Sequence, residues 1–240
     1  MGTYQVPLIH RAEIAKGTMA FSFEKPPGFA FTAGQSLDVI LVDPPGTDAE
    51  GHTRTFSIAS APHEDQIMVA TRMRDTAFKR VLKTLPLGAA IRLEGPYGSL
   101  TLHDDPARPA VFLAGGIGIT PFRSLLVDAA QHHRPHRLFL FYATRHPAEA
   151  PFLEELHNLE RENSRYTLVA TRTARAASSQ PWPGETGYIT PAMLAKCLDD
   201  VTAPIYYVAG PPGMVTAMPH MLREVGVHDE AIHTEEFFGY

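Results

Sequence analysis

The chain has 240 residues, 44% of them hydrophobic and 20% charged, and it carries a formal net charge of −5. This composition is typical of a globular protein with room for two domains, and the absence of long charge runs argues against a nucleic-acid or membrane-surface binder. No apolar stretch approaches the ~20 residues of a membrane helix, no signal peptide is expected, and the single cysteine, Cys197, excludes an intrachain disulfide or a four-cysteine cluster. We therefore expect a cytoplasmic protein.

Residues 1–103 have the pattern of a six-stranded antiparallel β-barrel. Short segments alternate apolar and polar residues, and Pro-Gly turns such as residues 25–28 separate them. One helix interrupts the strands, where Asp75 or Thr76 caps residues 77–82. The predicted strands are Tyr4–Ile14, Thr18–Phe23, Ser36–Val42, Arg54–Ser60, Ile67–Met73 and Ala90–Leu93.

A rhythm of strands and helices begins after residue 109. The segment 103–109 has two prolines and no periodicity, so it is the predicted linker between a first domain, 1–103, and a second domain, 109–240. Apolar strands that alternate with helices indicate a five-stranded parallel α/β sheet covered on both faces. The predicted strands are Val111–Ala114, Leu138–Ala143, Tyr166–Ala170, Ile205–Ala209 and Ala231–Glu235, and the predicted helices are Pro121–Gln131, Glu149–Arg161, Pro191–Leu198 and Met214–Val225.

The first strand of this half runs into a glycine turn, Gly115-Gly116-Ile117-Gly118, and then into an amphipathic helix. Thr120 is a suitable N-cap, and Pro121 suits the first helical position. Glycines admit a ligand close to the backbone, and a helix N-terminus favours an anion such as a diphosphate. A plain connector explains the same pattern, and Pro121 replaces the third glycine of the GxGxxG fingerprint. From this stretch alone, both interpretations stay open.

Three further loops follow strands of the same predicted sheet. They are Thr144-Arg145, Thr171-Arg172 and Gly210-Pro211-Pro212-Gly213-Met214. Because the carboxyl ends of parallel strands meet at one edge, where α/β sheets bind ligands, we expect these loops to lie beside the first glycine turn. Taken alone, the 210–214 loop is better explained as a rigid connector. Together with the first glycine turn, it favours a site for a phosphate-bearing ligand.

The barrel half contributes the segment Arg54-Thr55-Phe56-Ser57. An arginine suits phosphate, an aromatic ring offers a stacking face, and Ser57 supplies a hydroxyl. An ordinary strand with a surface arginine and a core phenylalanine explains the segment equally well. Ser57 lacks the GxSxG context, which excludes a serine hydrolase.

Two groups of polar residues suggest metal ligands at first sight. His132, His133 and His136 cluster together, but we find no carboxylate or cysteine at ligand spacing, so a helix end rich in histidine explains them better. The segment His103-Asp104-Asp105 reads as a polar linker. We therefore expect no metal site.

In this order, the motifs resemble those of ferredoxin–NADP⁺ reductase-type flavoproteins, and the resemblance covers essentially the whole chain. The segment 54–57 is similar to the family's RxYS flavin motif with Phe56 in place of tyrosine, residues 71–78 to its next FAD segment, and Gly95–Gly98 to the turn that closes the barrel. The two glycine loops are similar to the two dinucleotide loops. By this resemblance the cofactor-binding residues are Arg54, Thr55, Phe56, Ser57, Thr71, Arg72, Met73, Arg74, Thr76, Ala77, Phe78, Gly115, Gly116, Gly118, Thr120, Pro121, Thr144, Arg145, Arg172, Gly210, Pro211, Pro212, Gly213, Met214 and Phe237.

The resemblance implies an enzyme that uses FAD and a nicotinamide dinucleotide. Ser57 would bond near the flavin, and Glu235 or Glu236 would relay a proton or tune the flavin, although a solvated strand end also explains the glutamates. Phe237, or Phe238 or Tyr240, would cover the flavin. The Phe56 ring can stack but cannot donate the hydrogen bond of a tyrosine, a loss of roughly 0.5–1.5 kcal/mol in FAD binding.

The resemblance also implies partners. Arg145 or Arg172 near the adenosine 2′-phosphate favours NADPH, with NADH as the alternative. Electrons would pass to a separate protein: a ferredoxin, a flavodoxin or an oxygenase component. Two alternatives remain, namely a reductase of small molecules (a quinone, a free flavin or a ferric chelate) and a non-catalytic FAD- or nucleotide-binding subunit.

Overall fold

The computed structural model describes residues 2–174 and 182–236, and its first half is an antiparallel sheet with one helix. Its strands run in the order β4-β3-β6-β1-β2-β5. The elements are β1 (Gly2–Ala15), β2 (Thr18–Glu24), β3 (Ser36–Leu41), β4 (Thr53–Ser57), β5 (Gln66–Arg72), α1 (Ala77–Thr84) and β6 (Ala90–Tyr97).

The two outer strands of this sheet, β4 and β5, approach each other and curl the sheet into a barrel. Just beyond β4, the Ala59 amide donates to the Met68 carbonyl of β5 at 2.7 Å. Apolar side chains of β1, β2 and β3, such as Leu8, Phe21 and Leu37, are fully buried inside the barrel. The predicted six-stranded antiparallel barrel is therefore confirmed.

The second half is a parallel sheet in the order β10-β9-β8-β7-β11-β12, with helices between its strands. It has six strands where we predicted five, because β10 is two residues long and too short to show periodicity. The elements are β7 (Ala110–Gly115), α2 (Ile119–Gln131), β8 (Leu138–Thr144), α3 (Leu153–Glu162), β9 (Tyr166–Arg172), β10 (Glu185–Thr186), α4 (Pro191–Cys197), β11 (Ile205–Gly210), α5 (Pro212–Glu224) and β12 (Ile232–Glu236).

The central strands β7 and β11 are buried along their whole length. Their near-continuous apolar sequences follow from this, since a parallel strand covered on both faces has no solvent side. The polar loops at their carboxyl ends are thereby brought to one edge of the sheet.

Helix α2 begins earlier than the capping pattern indicates. A 3₁₀ turn at Gly116–Gly118 winds directly into the helix at Ile119. The Thr120 hydroxyl donates to the Ile117 carbonyl at 3.1 Å and accepts nothing from a first-turn amide. The predicted N-cap at Thr120, with Pro121 as the first helical residue, is wrong because the glycine turn is itself helical.

Three other boundaries refine the prediction. Thr76, not Asp75, caps α1, with its hydroxyl accepting from the Lys79 amide at 3.3 Å. Residues 95–97 belong to β6 itself and not to a turn, because Gly95 pairs with Gly2 of β1. Glu149 lies in a short 3₁₀ turn before α3, which begins at Leu153.

Polar contacts join the two halves on the barrel side of α2. The buried Arg123 of α2 donates to Glu64 of the barrel half, and the Ser124 hydroxyl donates to the Ser60 carbonyl at 2.7 Å. The domain limits 1–103 and 109–240 stay a prediction. Among the described residues, the helices are all too short or too polar to cross a membrane.

Candidate functional site

Two adjoining cavities lie where the barrel meets the carboxyl edge of the parallel sheet. The larger, called here the sheet-edge cavity, has a volume of about 670 Å³ and is lined by loops that follow β7, β8 and β11. The smaller, the barrel cavity, has a volume of about 360 Å³ and is lined by β4, the end of β5 and the start of α1. Arg72 and Arg74 line both cavities, so the two spaces are neighbours.

The sheet-edge cavity gathers loops that are distant in sequence. Gly115 and Gly116 line it together with Thr144-Arg145 and the 211–214 loop, as the strand order predicts. Helices α2 and α5 both begin beside it, and none of the described side chains caps either helix start. The Ile119 amide already donates to the Gly116 and Ile117 carbonyls, so it is the positive ends of the two helix dipoles that suit an anion such as a diphosphate.

Two glycines of the first loop, Gly115 and Gly118, are required by close packing. A Cβ on Gly118 would lie 2.3 Å from the Ala209 carbonyl oxygen of β11. A Cβ on Gly115 would lie 2.6 Å from Met214 Sδ and 2.8 Å from Pro211 Cδ. The two glycine loops therefore pack against each other, and no larger residue would let them do so.

Arg54 reaches the barrel cavity, but acidic side chains of its own loop already surround it. Its Nη2 lies 2.6 Å from Asp48, and its Nε lies 2.9 Å from Glu50. The hydrogen bond from Arg54 holds the pKa of Asp48 below its usual value. The guanidinium also stacks on Phe78 at 5.1 Å. Arg54 is thus firmly positioned at the cavity wall.

A cationic cluster forms the rest of that wall. Burial, followed by repulsion from Arg74 and Arg54, lowers the pKa of Lys79 to about 8. Lys79 Nζ donates to the Arg72 carbonyl at 2.8 Å beside the N-terminus of α1. These positive side chains lie close together despite their mutual repulsion, next to a helix N-terminus. Such an arrangement suits the binding of an anionic group.

Two polar side chains in the barrel cavity have buried oxygens without a partner. Ser57 is 3% exposed, and neither its Oγ nor Glu235 Oε2 finds a hydrogen-bond partner within residues 2–174 and 182–236. Burial raises the pKa of Glu235 to about 7. Buried polar atoms of this kind suit a ligand with its own hydrogen-bonding groups.

The structure does not bring every predicted residue to the cavity walls. Phe56, Thr55, Thr71 and Thr76 line the barrel cavity. Phe78 is buried in the barrel core, and Met73 packs against that core. Residues of the other half that line neither cavity are Gly118, Thr120, Pro121, Arg172, Gly210 and Pro212. Ala77 also lies outside the lining, and Phe237 lies outside the described residues.

Sequence reasoning missed several lining residues. Lys79 lies three residues after the Thr76 cap. This spacing places it in the first turn of α1, and that was the sequence signal for its position near the cavity. Glu149 lines the sheet-edge cavity and lies 3.6 Å from Arg72, and Tyr188, 76% exposed, lines the same cavity. No local pattern marks either residue.

A carboxylate does lie at ligand spacing from one histidine of the 132–136 cluster, so the prediction that none does is wrong. Asp128 stands four residues before His132, and the two side chains approach to 3.1 Å. His63 of the barrel half joins them. By contrast, His136 is buried 4.9 Å from the ring of His103.

Comparison with known proteins agrees with this geometry. Residues 112–220 match the model of the oxidoreductase NAD-binding domain. The chain is 30% identical to ferredoxin–NADP reductase B of Sorangium cellulosum, covering 90% of each chain. It is 28% identical to DmpP, the reductase component of phenol 2-monooxygenase from Pseudomonas sp. (strain CF600), covering 87% of this chain and 58% of the relative.

Other relatives are longer than this chain. One component of the Na(+)-translocating NADH-quinone reductase from Idiomarina loihiensis is 31% identical over 76% of this chain, which spans 44% of that protein. Among solved structures, a ferredoxin NADP⁺ reductase from Neisseria gonorrhoeae superposes with a TM-score of 0.79 at 20% identity, covering 98% and 99% of the two chains. That likeness supports the fold.

Proposed function

The chain belongs to the ferredoxin–NADP⁺ reductase family of flavoprotein oxidoreductases, and from this premise we propose that it oxidises NAD(P)H through FAD and passes the electrons to a separate acceptor. FAD would occupy the barrel cavity, and the nicotinamide dinucleotide would occupy the sheet-edge cavity. The observation that carries the proposal is the junction of the two cavities at Arg72 and Arg74. Two cofactors that exchange electrons directly need adjoining sites.

The barrel cavity fits FAD by the chemistry of its walls. Lys79 and Arg74 supply positive charge for a diphosphate, and the N-terminus of α1 adds to it. Phe56 presents an aromatic ring, and Ser57 presents an unpartnered hydroxyl. When bound, FAD supplies the conversion of a two-electron donor into one-electron steps.

The sheet-edge cavity fits a nicotinamide dinucleotide. Gly115 and Gly116 present backbone beside the start of α2, and Gly213 does the same at α5. Arg145 lines the cavity, and Arg172 has buried Nε and Nη1 atoms with no partner in the described part of the chain. Because an arginine suits the 2′-phosphate, NADPH is the preferred donor in this proposal.

Glu235 is the group in the barrel cavity suited to holding a proton. With a pKa of about 7, its carboxyl group is partly protonated at neutral pH, and it lines the same cavity as Ser57. A group poised near the working pH can both donate and accept a proton. Glu236, by contrast, is exposed to solvent.

The acceptor in this proposal is a protein: a ferredoxin, a flavodoxin or an oxygenase component. The named relatives include a ferredoxin–NADP reductase and a monooxygenase reductase component, which supports a protein acceptor. The single cysteine excludes a four-cysteine iron–sulfur cluster within these 240 residues. A reducing, cytoplasmic location is part of the same proposal.

The test is an absorption spectrum of the purified protein followed by anaerobic titration with NADPH and then NADH. We expect bound FAD that NADPH bleaches, and turnover with ferricyanide. A colourless protein that cannot be reconstituted with FAD contradicts the proposal. Bound flavin that neither nucleotide reduces would identify a non-catalytic subunit, and faster turnover with quinones or ferric chelates than with ferredoxins would identify a small-molecule reductase.

A further inference from the structure

A cluster of three metal-ligating side chains lies where the barrel half meets the end of α2. His63 belongs to the connection between β4 and β5, Asp128 lies in the last turn of α2, and His132 follows its last residue. One ligand atom from each side chain lies within 4.8 Å of the other two, and none of the three lines either cavity. We propose that these residues bind a divalent transition-metal ion, with Zn²⁺ preferred, that joins the two halves of the molecule.

The spacing of the ligand atoms already approaches that of a zinc site. His132 Nδ1 lies 3.1 Å from Asp128 Oδ1. Two ligand atoms on one tetrahedral zinc, at metal–ligand distances of about 2.1 Å, lie about 3.4 Å apart. A zinc ion would therefore bind Nδ1 and Oδ1 with little movement, in place of the hydrogen bond between Nδ1 and the Asp128 backbone carbonyl. The exposed His63 ring needs to move inward by less than about 2 Å, since its ligand atom lies within 4.8 Å of both.

The backbone that carries His63 is held in place against α2. The Glu64 amide donates to the Ala61 carbonyl at 3.0 Å, which closes a tight turn around His63. Lys25 Nζ donates to the Glu64 carbonyl at 3.3 Å, and Arg123 of α2 holds the Glu64 carboxylate at 2.8 Å. Because other contacts already order the turn, metal binding costs little conformational entropy.

The chemistry of the three side chains selects the ion. Two imidazoles and one carboxylate suit zinc and other late transition metals, whereas Ca²⁺ and Mg²⁺ take mostly oxygen ligands. The site also lies at the C-terminal end of α2, where the Asp128 carbonyl contacts His132 Nδ1 at 2.9 Å. The negative end of a helix dipole stabilises a cation there. Three protein ligands leave a coordination position for water.

Calorimetric titration of the full chain with Zn²⁺ tests the proposal. The protein is loaded with FAD and first cleared of metal with EDTA. We expect one Zn²⁺ ion to bind per chain. We expect His63→Ala and His132→Ala each to weaken Zn²⁺ binding at least tenfold. His220→Ala is the matched control, because this exposed helix histidine lies 3.5 Å from Glu224 at the same i,i+4 spacing but outside the cluster.

A thermal melt provides a second readout that separates binding from folding. Zn²⁺ should raise the Tm of the wild type and of His220→Ala but not that of His63→Ala, while all three melt alike without metal. Failure of Zn²⁺ to bind, or binding that His63→Ala leaves unchanged, overturns the proposal. Binding lost equally in His220→Ala also overturns it, because such binding would be non-specific.

Discussion

Arg123 of α2 donates to both carboxylate oxygens of Glu64, at 2.8 and 3.2 Å, and so links the two halves of the molecule. Its guanidinium also bonds Glu155, at 2.6 Å and 3.0 Å, and the Ala59 carbonyl at 2.8 Å. The arginine side chain is 7% exposed, while Glu64 is 30% exposed. Burial alone would raise the pKa of Glu64, but the hydrogen bond and charge of Arg123 outweigh burial and lower it.

We expect Arg123→Ala to destabilise the protein by at least about 2 kcal/mol, because breaking a buried ion pair costs roughly 3–5 kcal/mol and the two carboxylates here are partly exposed. Urea unfolding followed by circular dichroism measures the loss. Arg137→Ala is the control, because its pair with Asp199 is exposed on both sides and should contribute almost nothing. Equal stability of Arg123→Ala and the wild type would show that the link is not structural.

The fold and the outline of the site follow from local patterns. Each glycine loop is a contiguous segment that follows an apolar strand, and parallel strands bring their carboxyl ends together whatever the details of packing. Gly115, Arg145 and Gly213 therefore meet at one cavity as expected. The barrel can be predicted for a similar reason, since strands such as β6 alternate buried and more exposed residues and their sequence has the same period of two.

Contacts between residues that are far apart in sequence are not predicted by any local pattern. Arg123 and Glu64 are 59 positions apart, and His63 and Asp128 meet only because α2 packs against the barrel. The start of α2 was misplaced for another reason: a glycine turn that is itself helical looks the same in sequence as a loop before a cap at Thr120. Phe78, which the resemblance assigns to the cofactor, is 1% exposed in the barrel core, because a sequence motif does not tell which of its side chains face inward.

The buried carboxyl of Glu235 makes a prediction about pH. Its pKa is about 7 in the folded protein and 4.5 in an unfolded chain. Between pH 4.5 and pH 7, the Glu235 carboxyl is largely ionised in the unfolded chain but largely protonated in the folded protein. The free energy of unfolding therefore falls as the pH rises through this range, and Glu235 causes no further loss above it. In FAD-free protein, Glu235→Gln should match the wild type near pH 4 and exceed it by up to about 3 kcal/mol at pH 8.

Unfolding curves across that pH range test the Glu235 prediction. Glu236→Gln is the matched control, since the neighbouring side chain is exposed and its substitution should change the free energy of unfolding by less than about 0.5 kcal/mol. A constant difference between Glu235→Gln and the wild type at all pH values would contradict the raised pKa.

Gly118→Ala tests the close approach of the two glycine loops. The new Cβ would lie 2.3 Å from the Ala209 carbonyl, so α2 must shift away from β11. Overpacking of this kind costs about 1–3 kcal/mol, and the displaced turn should also bind NADPH more weakly. Gly46→Ala is the control, because its Cβ would meet nothing within 4 Å and Gly46 lines neither cavity. Melting temperatures and NADPH dissociation constants of the two variants should separate clearly, and equal values would contradict the packing argument.

Phe56→Tyr tests the proposed FAD site. Phe56 lines the barrel cavity, and a tyrosine hydroxyl there would add one hydrogen bond to the cofactor. A net gain of about 0.5–1.5 kcal/mol corresponds to roughly two- to tenfold tighter FAD binding. Fluorescence titration of FAD-free protein measures it. Phe31→Tyr serves as the control, because Phe31 packs beside the barrel core and not in the cavity lining. Unchanged FAD binding in Phe56→Tyr would place the cofactor elsewhere.

Arg145→Ala tests the preference for NADPH. Arg145 follows β8 and lines the sheet-edge cavity, where its charge can pair with a 2′-phosphate that NADH lacks. We expect KM for NADPH to rise about tenfold or more, since a charged hydrogen bond contributes roughly 1.5–3 kcal/mol, while KM for NADH stays unchanged. Arg172→Ala, whose buried Nε and Nη1 atoms are unpartnered within the described residues, decides between the two arginines that follow neighbouring strands. If only Arg172→Ala raises KM for NADPH, the 2′-phosphate lies at the end of β9. If both variants raise the two KM values equally, neither arginine reads the phosphate, and the preference for NADPH is wrong.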